Sequence, residues 1–384
     1  MTENLNVDNV IDRLYIKHRN MYEPYQLVDV ITDALGTIFT SHNFDRTYVK
    51  ERIFKILDYQ YQLEKLKNIP LVEQRSPEWY SMRQNLITAS DFAQALGEGK
   101  FGTQKQFFQK KSGYEKDTFD NNNPALKWGV KYEPVAIFAY EKKNKTKMYD
   151  FGLLRHPTLH WFGASPDSIT ELGIMVEIKC PWKRKITGDI PKQYYYQMQG
   201  QLDVCQLKEC DYLECEFIEY ANSEEFSNHF SDNLNEKGII IEYISNDVTK
   251  YAYSEMDICY NLDKCLAWET KTKMEITKQN FPIVKSHYWQ LNTFNVVRVY
   301  KDNDFLTEKF PLLKDVWEKI NAYKRDRSLY EKDIMEIKQG NTTTENIKQA
   351  ISITTNTRAS TKPYEMTSSR NEVKISGFAF VDDD

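Results

Sequence analysis

Glu177 and Lys179 stand two positions apart in "MVEIKCPWKRK" (175–185), a carboxylate and an ammonium inside an otherwise apolar, strand-like run that ends at a proline. Upstream, "WFGASPDSITELG" carries Asp167 in a Pro-Asp pair just before a turn signal. A hairpin through that turn sets Asp167 at the end of one strand and Glu177 and Lys179 on the next. Two residues advance a strand by about 6.6 Å, and the period of two puts Glu177 and Lys179 on one face with Val176, Ile178 and Cys180 on the other. Two readings are open on that spacing alone. One is a cross-strand ion pair on a solvated sheet face, the commoner fate of such a pattern. The other is a hard divalent cation such as Mg²⁺ held by the oxygens of Asp167 and Glu177. The lysine would then orient or deprotonate a bound water and offset charge on a phosphate oxygen, which suits phosphodiester hydrolysis.

Three further stretches offer partners. "PALKWGVKYEPVAIFAYEKK" reads as a helix with Glu133 among Val130, Val135, Ile137 and Phe138. That glutamate is either a further carboxylate for the cation, direct or through water, or an ordinary surface side chain. "QYYYQMQGQLDVCQL" reads as a helix whose Gln197, Gln199 and Gln201 amides suit a phosphate, a water or the lysine. In "RSPEWYSMRQNLITASDFAQALG", Arg83 precedes a helix start that Thr88 or Ser90 would cap, so the helix N-terminus and the arginine together would hold a phosphate.

The elements that must carry these residues follow from pattern. Residues 1–70 show helical periodicity at Val7, Val10, Ile11 and Leu14, through "YQLVDVITDALGTIF", and at Ile53, Ile56, Leu57, Tyr61 and Leu63. Residues 71–220 alternate helical and strand-like runs, as a mixed α/β core does. Residues 221–338 continue with "KGIIIEYIS" and "TFNVVRVY" as strands and "PLLKDVWEKINAYKR" as a helix, an elaboration of that core. From about 339 the chain turns rich in Thr, Ser and Asn, a composition expected of a flexible tail. It ends on "SGFAFVDDD", either a docking peptide or a solubilising acidic terminus.

Composition narrows the classes. The chain has 384 residues, 41% of them apolar and 14% aromatic, enough for a sizeable core. A net charge of −5 excludes a global basic field, so a nucleic-acid site must be a local patch. Lys183, Arg184 and Lys185 form one candidate for a DNA path. "KKNKTK" at 142–147 forms another, though a solvated charge run explains it as well. No apolar run is long enough to span a membrane and the N-terminus lacks a secretory layout, so an intracellular, reducing location is expected. The trio Cys205, Cys210 and Cys215 fits no usual zinc spacing and reads as core thiols.

Taken in order, "WYSMRQNLITASDFAQALG", "ALKWGVKYEPVA", "GASPDSI", "MVEIKCPWKRK" and "YYYQMQGQL" resemble the lambda-type exonucleases, or YqaJ-like viral recombinases, among nucleases with a Pro-Asp…Asp/Glu-x-Lys core. "KRKITGDIPKQYYYQMQGQL" and "FLTEKFPLLKDVWEKINAYK" look especially like exonucleases of large eukaryotic DNA viruses. The resemblance implies an α/β, restriction-endonuclease-like fold with a central mixed sheet flanked by helices, here with an N-terminal helical segment and a C-terminal α/β extension. It implies Mg²⁺ (Mn²⁺ substituting) in a two-metal site on Asp167, Glu177 and the Ile178 backbone carbonyl, with Glu133 in support. Lys179 would be the catalytic lysine, Gln199 an active-site glutamine, and Arg83 with Ser90 the pocket for a 5′-terminal phosphate. The implied activity is 5′-to-3′ digestion of one strand of duplex DNA, leaving 3′ tails for an annealing protein in viral recombination, replication or repair. Some such enzymes form a trimeric ring, and the added N-terminal segment leaves open whether this chain does. Host cytoplasm or nucleus is then the expected location. The competing readings are a structure-specific endonuclease on the same core, a non-catalytic DNA-binding or annealing factor, and an interaction protein acting through its tail.

Overall fold

The computed structural model describes residues 7–39, 45–74, 76–100, 102–114 and 123–333, so the tail and its acidic end lie outside the described residues. Helices α1 (Val7–His18), α2 (Pro24–Ile38) and α3 (Arg46–Lys67) occupy the three expected periodic stretches. In α3, Ile53, Ile56 and Leu63 are buried, but Tyr61 is 67% exposed. At 100° per residue it stands roughly 140° round the helix from Ile56 and off the apolar stripe.

Next come α4 (Pro77–Gln84), β1 (Ile87–Thr88), a 3₁₀ turn at Ala89–Asp91, α5 (Phe92–Ala95), α6 (Gln104–Ser112) and α7 (Pro124–Asn144). Five short strands follow: β2 (Met148–Tyr149), β3 (Leu154–Arg155), β4 (Phe162–Ala164), β5 (Ser168–Thr170) and β6 (Met175–Lys179). Then come α8 (Lys192–Cys205), β7 (Glu209–Tyr220), α9 (Ser223–Asn228), β8 (Lys237–Ser245), β9 (Val248–Tyr253), α10 (Leu262–Lys278), β10 (Ile283–Tyr300) and α11 (Asn303–Arg325). The expected strand "TFNVVRVY" is thus one end of an 18-residue strand. The helix expected to begin at Pro311 begins at Asn303 and carries that proline in its interior.

The chain divides into two compact units. One comprises the described parts of Met1–Lys55, Gln94–Lys116 and Lys309–Asp384, the other those of Ile56–Ala93 and Asp117–Glu308. In the first, the buried Arg52 guanidinium donates to Asp12 Oδ2 at 2.7 Å. Every residue singled out for chemistry belongs to the second.

The second unit is the expected mixed α/β fold. A seven-stranded sheet runs in the order β2-β5-β6-β7-β10-β8-β9, and within it only β6 and β7 pair in parallel. A small sheet, β1-β4-β3, stands beside it. Val176, Ile178 and Cys180 pack with Tyr132, Val135, Ala136 and Ala139 of α7, so that helix covers one face. α7 ends at Lys145 in a left-handed conformation (φ 51°). Just before it, Lys142 donates to the Met256 carbonyl at 2.7 Å and Lys143 pairs with Glu236. The start of the 142–147 run is therefore a helix end whose first two lysines are engaged by neighbouring groups of the same unit.

At the other end of α7, buried Lys131 pairs with Glu219, which also accepts from the Tyr132 hydroxyl at 2.7 Å and lies against His287. Burial pushes the Glu219 carboxyl up, but His287, Lys131 and Tyr132 outweigh it and hold it at about 2. A depressed acid stabilises the fold above its unfolded value and loses that contribution as pH falls toward about 2. Glu219→Gln should therefore lower stability at neutral pH, by about 2 kcal/mol for a partly screened pair, and flatten the acid limb of unfolding between about pH 4.5 and 2. Denaturant melts across that range test it, and a parallel offset at every pH would sink it.

Candidate active site

The hairpin expected around Glu177 is present. Ser168 pairs with Val176 and Ile169 with Met175, in antiparallel register. The turn between them needs Gly173, whose φ of +76° suits only glycine and whose added Cβ would fall 2.5 Å from the Tyr59 carbonyl oxygen. Extending the register by one pair places Asp167 opposite Glu177, and opposed residues share a face. Asp167 thus stands just before β5. Its Oδ2 accepts the Ile178 N–H at 2.8 Å. A strand residue directs its N–H and C=O to the same edge, so the Ile178 carbonyl also turns toward the Asp167 side.

Glu177 is fully buried, which rules out the exposed ion-pair reading. One carboxylate oxygen accepts from Lys179 Nζ, and the other accepts from Gln201 Nε2 at 2.8 Å. Burial works against the Lys179 charge, but Glu177 and then Asp167 outweigh it and hold the ammonium well above the usual lysine range. The Tyr194 ring centroid lies 4.9 Å from Lys179 Nζ. Burial first, then the charges of Glu177 and Glu133, push the Asp167 carboxyl well above the usual carboxylate range against the pull of Lys179. Glu133 on α7 is half-buried and acts on the site through its charge.

Asp167 and Glu177 share one lysine here, and Asp167 also feels the charge of Glu133, in a poorly solvated place. A hard cation would relieve that repulsion, and the donors are oxygens, so the residues fit Mg²⁺ or Mn²⁺. Among the described residues no three His, Cys, Asp or Glu side chains close into a ready-made cage. Asp167, Glu177 and the Ile178 carbonyl would hold a cation with water completing its shell. The six cysteines, all buried free thiols, form no such group either.

α8 lies across the small sheet, and Gly200 permits the approach: a Cβ there would meet Phe162 Cζ at 3.0 Å and Ala89 Cβ and Phe92 Cδ1 at 3.1 Å. That contact sets the helix rotation. It turns Gln201 onto Glu177 and leaves the buried Gln201 Oε1 without a hydrogen-bond partner. Gln199, the expected active-site glutamine, is not brought to the carboxylates. Its Nε2 donates to the Tyr300 carbonyl at 2.9 Å and its Oε1 accepts the Asp302 N–H at 2.7 Å. Two residues along a helix are about 200° apart, so one glutamine faces the site and the other cannot. Gln199→Met should destabilise by about 2–4 kcal/mol, since two buried backbone groups lose partners, with kcat little changed. Gln201→Met should instead lower kcat by about tenfold or more with a smaller stability loss. Melting and steady-state rates on the two variants decide it, and the reverse ranking would refute the assignment.

Arg83 and Ser90 are brought together: Arg83 Nη2 donates to Ser90 Oγ at 3.1 Å. The Arg83 guanidinium also stacks 4.5 Å from the Trp79 ring. Trp79 Nε1 donates to Ser165 Oγ at 3.1 Å, and Gln201 Nε2 reaches the Ser165 carbonyl at 3.4 Å. A chain of contacts thus joins Arg83 to Glu177. Sequence reasoning did not assign Trp79 and Ser165, although each lies in a motif it used. Thr88 caps only the 3₁₀ turn leading into the four-residue α5, so the expected phosphate-binding helix terminus is not formed. Ser76 caps α4 by accepting the Trp79 N–H at 3.1 Å, which fixes the base of the Arg83 helix.

In the basic cluster, Lys183 and Lys185 are exposed. Arg184, half-buried, donates to Glu214 Oε1 at 2.5 Å, so one side of its guanidinium is committed to a buried carboxylate.

Residues 78–208 match the family model described as the YqaJ-like viral recombinase domain. The resemblance carried by the five motifs is thus borne out. An uncharacterised protein of Acanthamoeba polyphaga mimivirus is 28% identical in an alignment that covers 78% of this chain. The matched region is 62% of that relative's length. Among solved structures, an alkaline exonuclease of Laribacter hongkongensis, also solved with dAMP, aligns at 18% identity over 70% of this chain and 100% of its own, with a TM-score of 0.38. A phage-related exonuclease of Haemophilus somnus aligns at 13% over 66% of this chain and 96% of its own, with a TM-score of 0.34.

Proposed function

We propose, from the premise that residues 78–208 carry a YqaJ-like viral recombinase domain, that this chain is a Mg²⁺-dependent deoxyribonuclease digesting one strand of duplex DNA from its 5′ end. The observation that carries the reading is the buried Glu177, bonded to Lys179 and Gln201 and opposite Asp167 on one hairpin. A wholly buried carboxylate of this kind is costly to keep for stability alone. Asp167, Glu177 and the Ile178 carbonyl would hold the cation, with Glu133 in support. When bound, it would supply a hydroxide-like nucleophile and stabilise the leaving oxygen.

The chain's own residues do the rest. Lys179 brings a positive charge to where negative charge develops on the scissile phosphate. Gln201 fixes the orientation of Glu177, and its free Oε1 accepts a hydrogen bond from a water at the site. Arg83 and Ser90 receive the terminal 5′ phosphate, with Trp79 keeping the guanidinium in plane, so cutting starts at an end. The 3′ tail left behind would be a substrate for an annealing protein, and recombination or repair of viral DNA is the role this reading proposes.

Labelled duplexes with Mg²⁺ test the reading directly. Linear DNA bearing a 5′ phosphate should be degraded from that end, a 5′-hydroxyl duplex more slowly, and a closed circle not at all. Rapid cutting of the circle would favour the endonuclease alternative. No cutting of any substrate would favour the non-catalytic one.

A further inference from the structure

Trp182 is exposed at 42% of its surface, and among the seven tryptophans it is the exposed one. It sits three residues beyond Lys179, on the loop that joins β6 to α8. Lys183 Nζ lies 4.1 Å from its ring centroid, and Lys183 and Lys185 both face solvent. Between those two lysines, Arg184 is half-buried and reaches back to Glu214. Its partner Glu214 is fully buried on β7, directly in register with Lys179 of β6, and also accepts from the Tyr212 hydroxyl at 2.9 Å. An arginine from the loop is thus bolted to the strand beside the catalytic lysine. The bolt holds Trp182, Lys183 and Lys185 outward at a set distance from the reacting centre.

We propose that this loop is a seat for unpaired nucleotides adjoining the scissile bond: a base stacks on Trp182, Lys183 and Lys185 meet the adjoining phosphates, and Arg184–Glu214 is the strut that positions them. The inference rests on the nuclease reading for its substrate class. Its chemistry is that of single-strand recognition. An aromatic face takes any base, provided the base is unstacked from a duplex neighbour, and lysines at its side follow the backbone. In a chain of net charge −5, two outward lysines flanking an exposed indole form a local complement to a polyanion. Arg184, committed to Glu214, leaves Lys183 and Lys185 as the cations of the loop with side chains turned to solvent.

The test uses the full chain in EDTA, where nothing is cut, and anisotropy of labelled blunt duplex and of duplex with a single-stranded tail. Trp182→Ala should bind the tailed duplex about tenfold more weakly than wild type, the blunt duplex much less affected, with an unchanged melting temperature. Trp182→Phe should restore most of the affinity. Equal binding of the tailed duplex by wild type and Trp182→Ala, or no tail preference in wild type, overturns the seat. A cleavage assay with Mg²⁺ on the same proteins separates the two ideas. If wild type cuts while Trp182→Ala binds tails normally, the seat is wrong and the nuclease reading stands. If tail binding depends on Trp182 but no DNA is cut, the seat stands and the nuclease reading fails.

Discussion

Lys179→Ala and Asp167→Asn should each lower the rate of DNA cleavage by roughly a hundred- to a thousandfold, yet move stability in opposite directions. Lys179 is the cation that offsets Glu177, whose side chain is 1% exposed. Removing it leaves a buried carboxylate with Gln201 as its remaining partner, at a cost of about 3 kcal/mol. Asp167 is the converse case. Burial and the charges of Glu177 and Glu133 disfavour its ionised form, so its neutral amide isostere relieves repulsion while still accepting the Ile178 N–H. Asp167→Asn should therefore melt above wild type in metal-free buffer, and Lys179→Ala below it. A site whose carboxylates repel one another would, on the metal-binding reading, sacrifice stability for function. The measurements are a melting curve in EDTA and a single-turnover rate with Mg²⁺. If Asp167→Asn is destabilised, or if either variant cleaves at the wild-type rate, the charge arrangement has been misread.

The second large effect concerns the choice of end. Arg83→Ala should slow digestion of 5′-phosphorylated duplex by about 10- to 100-fold while leaving the slower 5′-hydroxyl rate nearly unchanged, so that the preference for a phosphate collapses. The guanidinium has two supports, the Trp79 ring on its face and the Ser90 hydroxyl at its edge. Arg83→Lys keeps the charge but neither the stacking plane nor the fork, and should recover little of the discrimination. Trp79 lies on the same helix, so its loss should resemble a mild Arg83 defect and should not resemble loss of Lys179. Equal loss on both kinds of end in Arg83→Ala would mean that the arginine supports the fold or the duplex in general, and the phosphate pocket would have to be sought elsewhere.

The hairpin of Asp167 and Glu177 was legible because everything about it is local. Gly173 closes a short turn, the strand period assigns faces, and an antiparallel register then sets Asp167 against Glu177 without reference to the rest of the chain. The helix of Glu133 was legible for the same reason, since its apolar spacing begins at Pro124, whereas α4, capped by Ser76, went unread. Local rules also produced the misreadings. Pro311 looked like a helix start because proline is favoured there, yet α11 runs through it from Asn303. Tyr61 looked like part of an apolar stripe because its residue type was right, although its angle was not.

By itself, the sequence determined the presence of the hairpin, the identity of its three charged residues, the helices that carry Glu133 and the glutamines, and the mixed α/β class, but not the helix that carries Arg83. Tertiary structure alone decided which of those groups meet. Gln199 and Gln201 are equivalent as letters, and the close contact of Gly200 with Phe162, Ala89 and Phe92 selects Gln201 for Glu177 and sends Gln199 to the backbone at Tyr300 and Asp302. Arg184 is indistinguishable from its lysine neighbours until Glu214 comes to lie beside β6. The reason is physical: periodicity and capping depend on interactions within a few residues, whereas the partner of a buried charge comes from wherever packing places it, and a buried charge without its partner costs too much to remain.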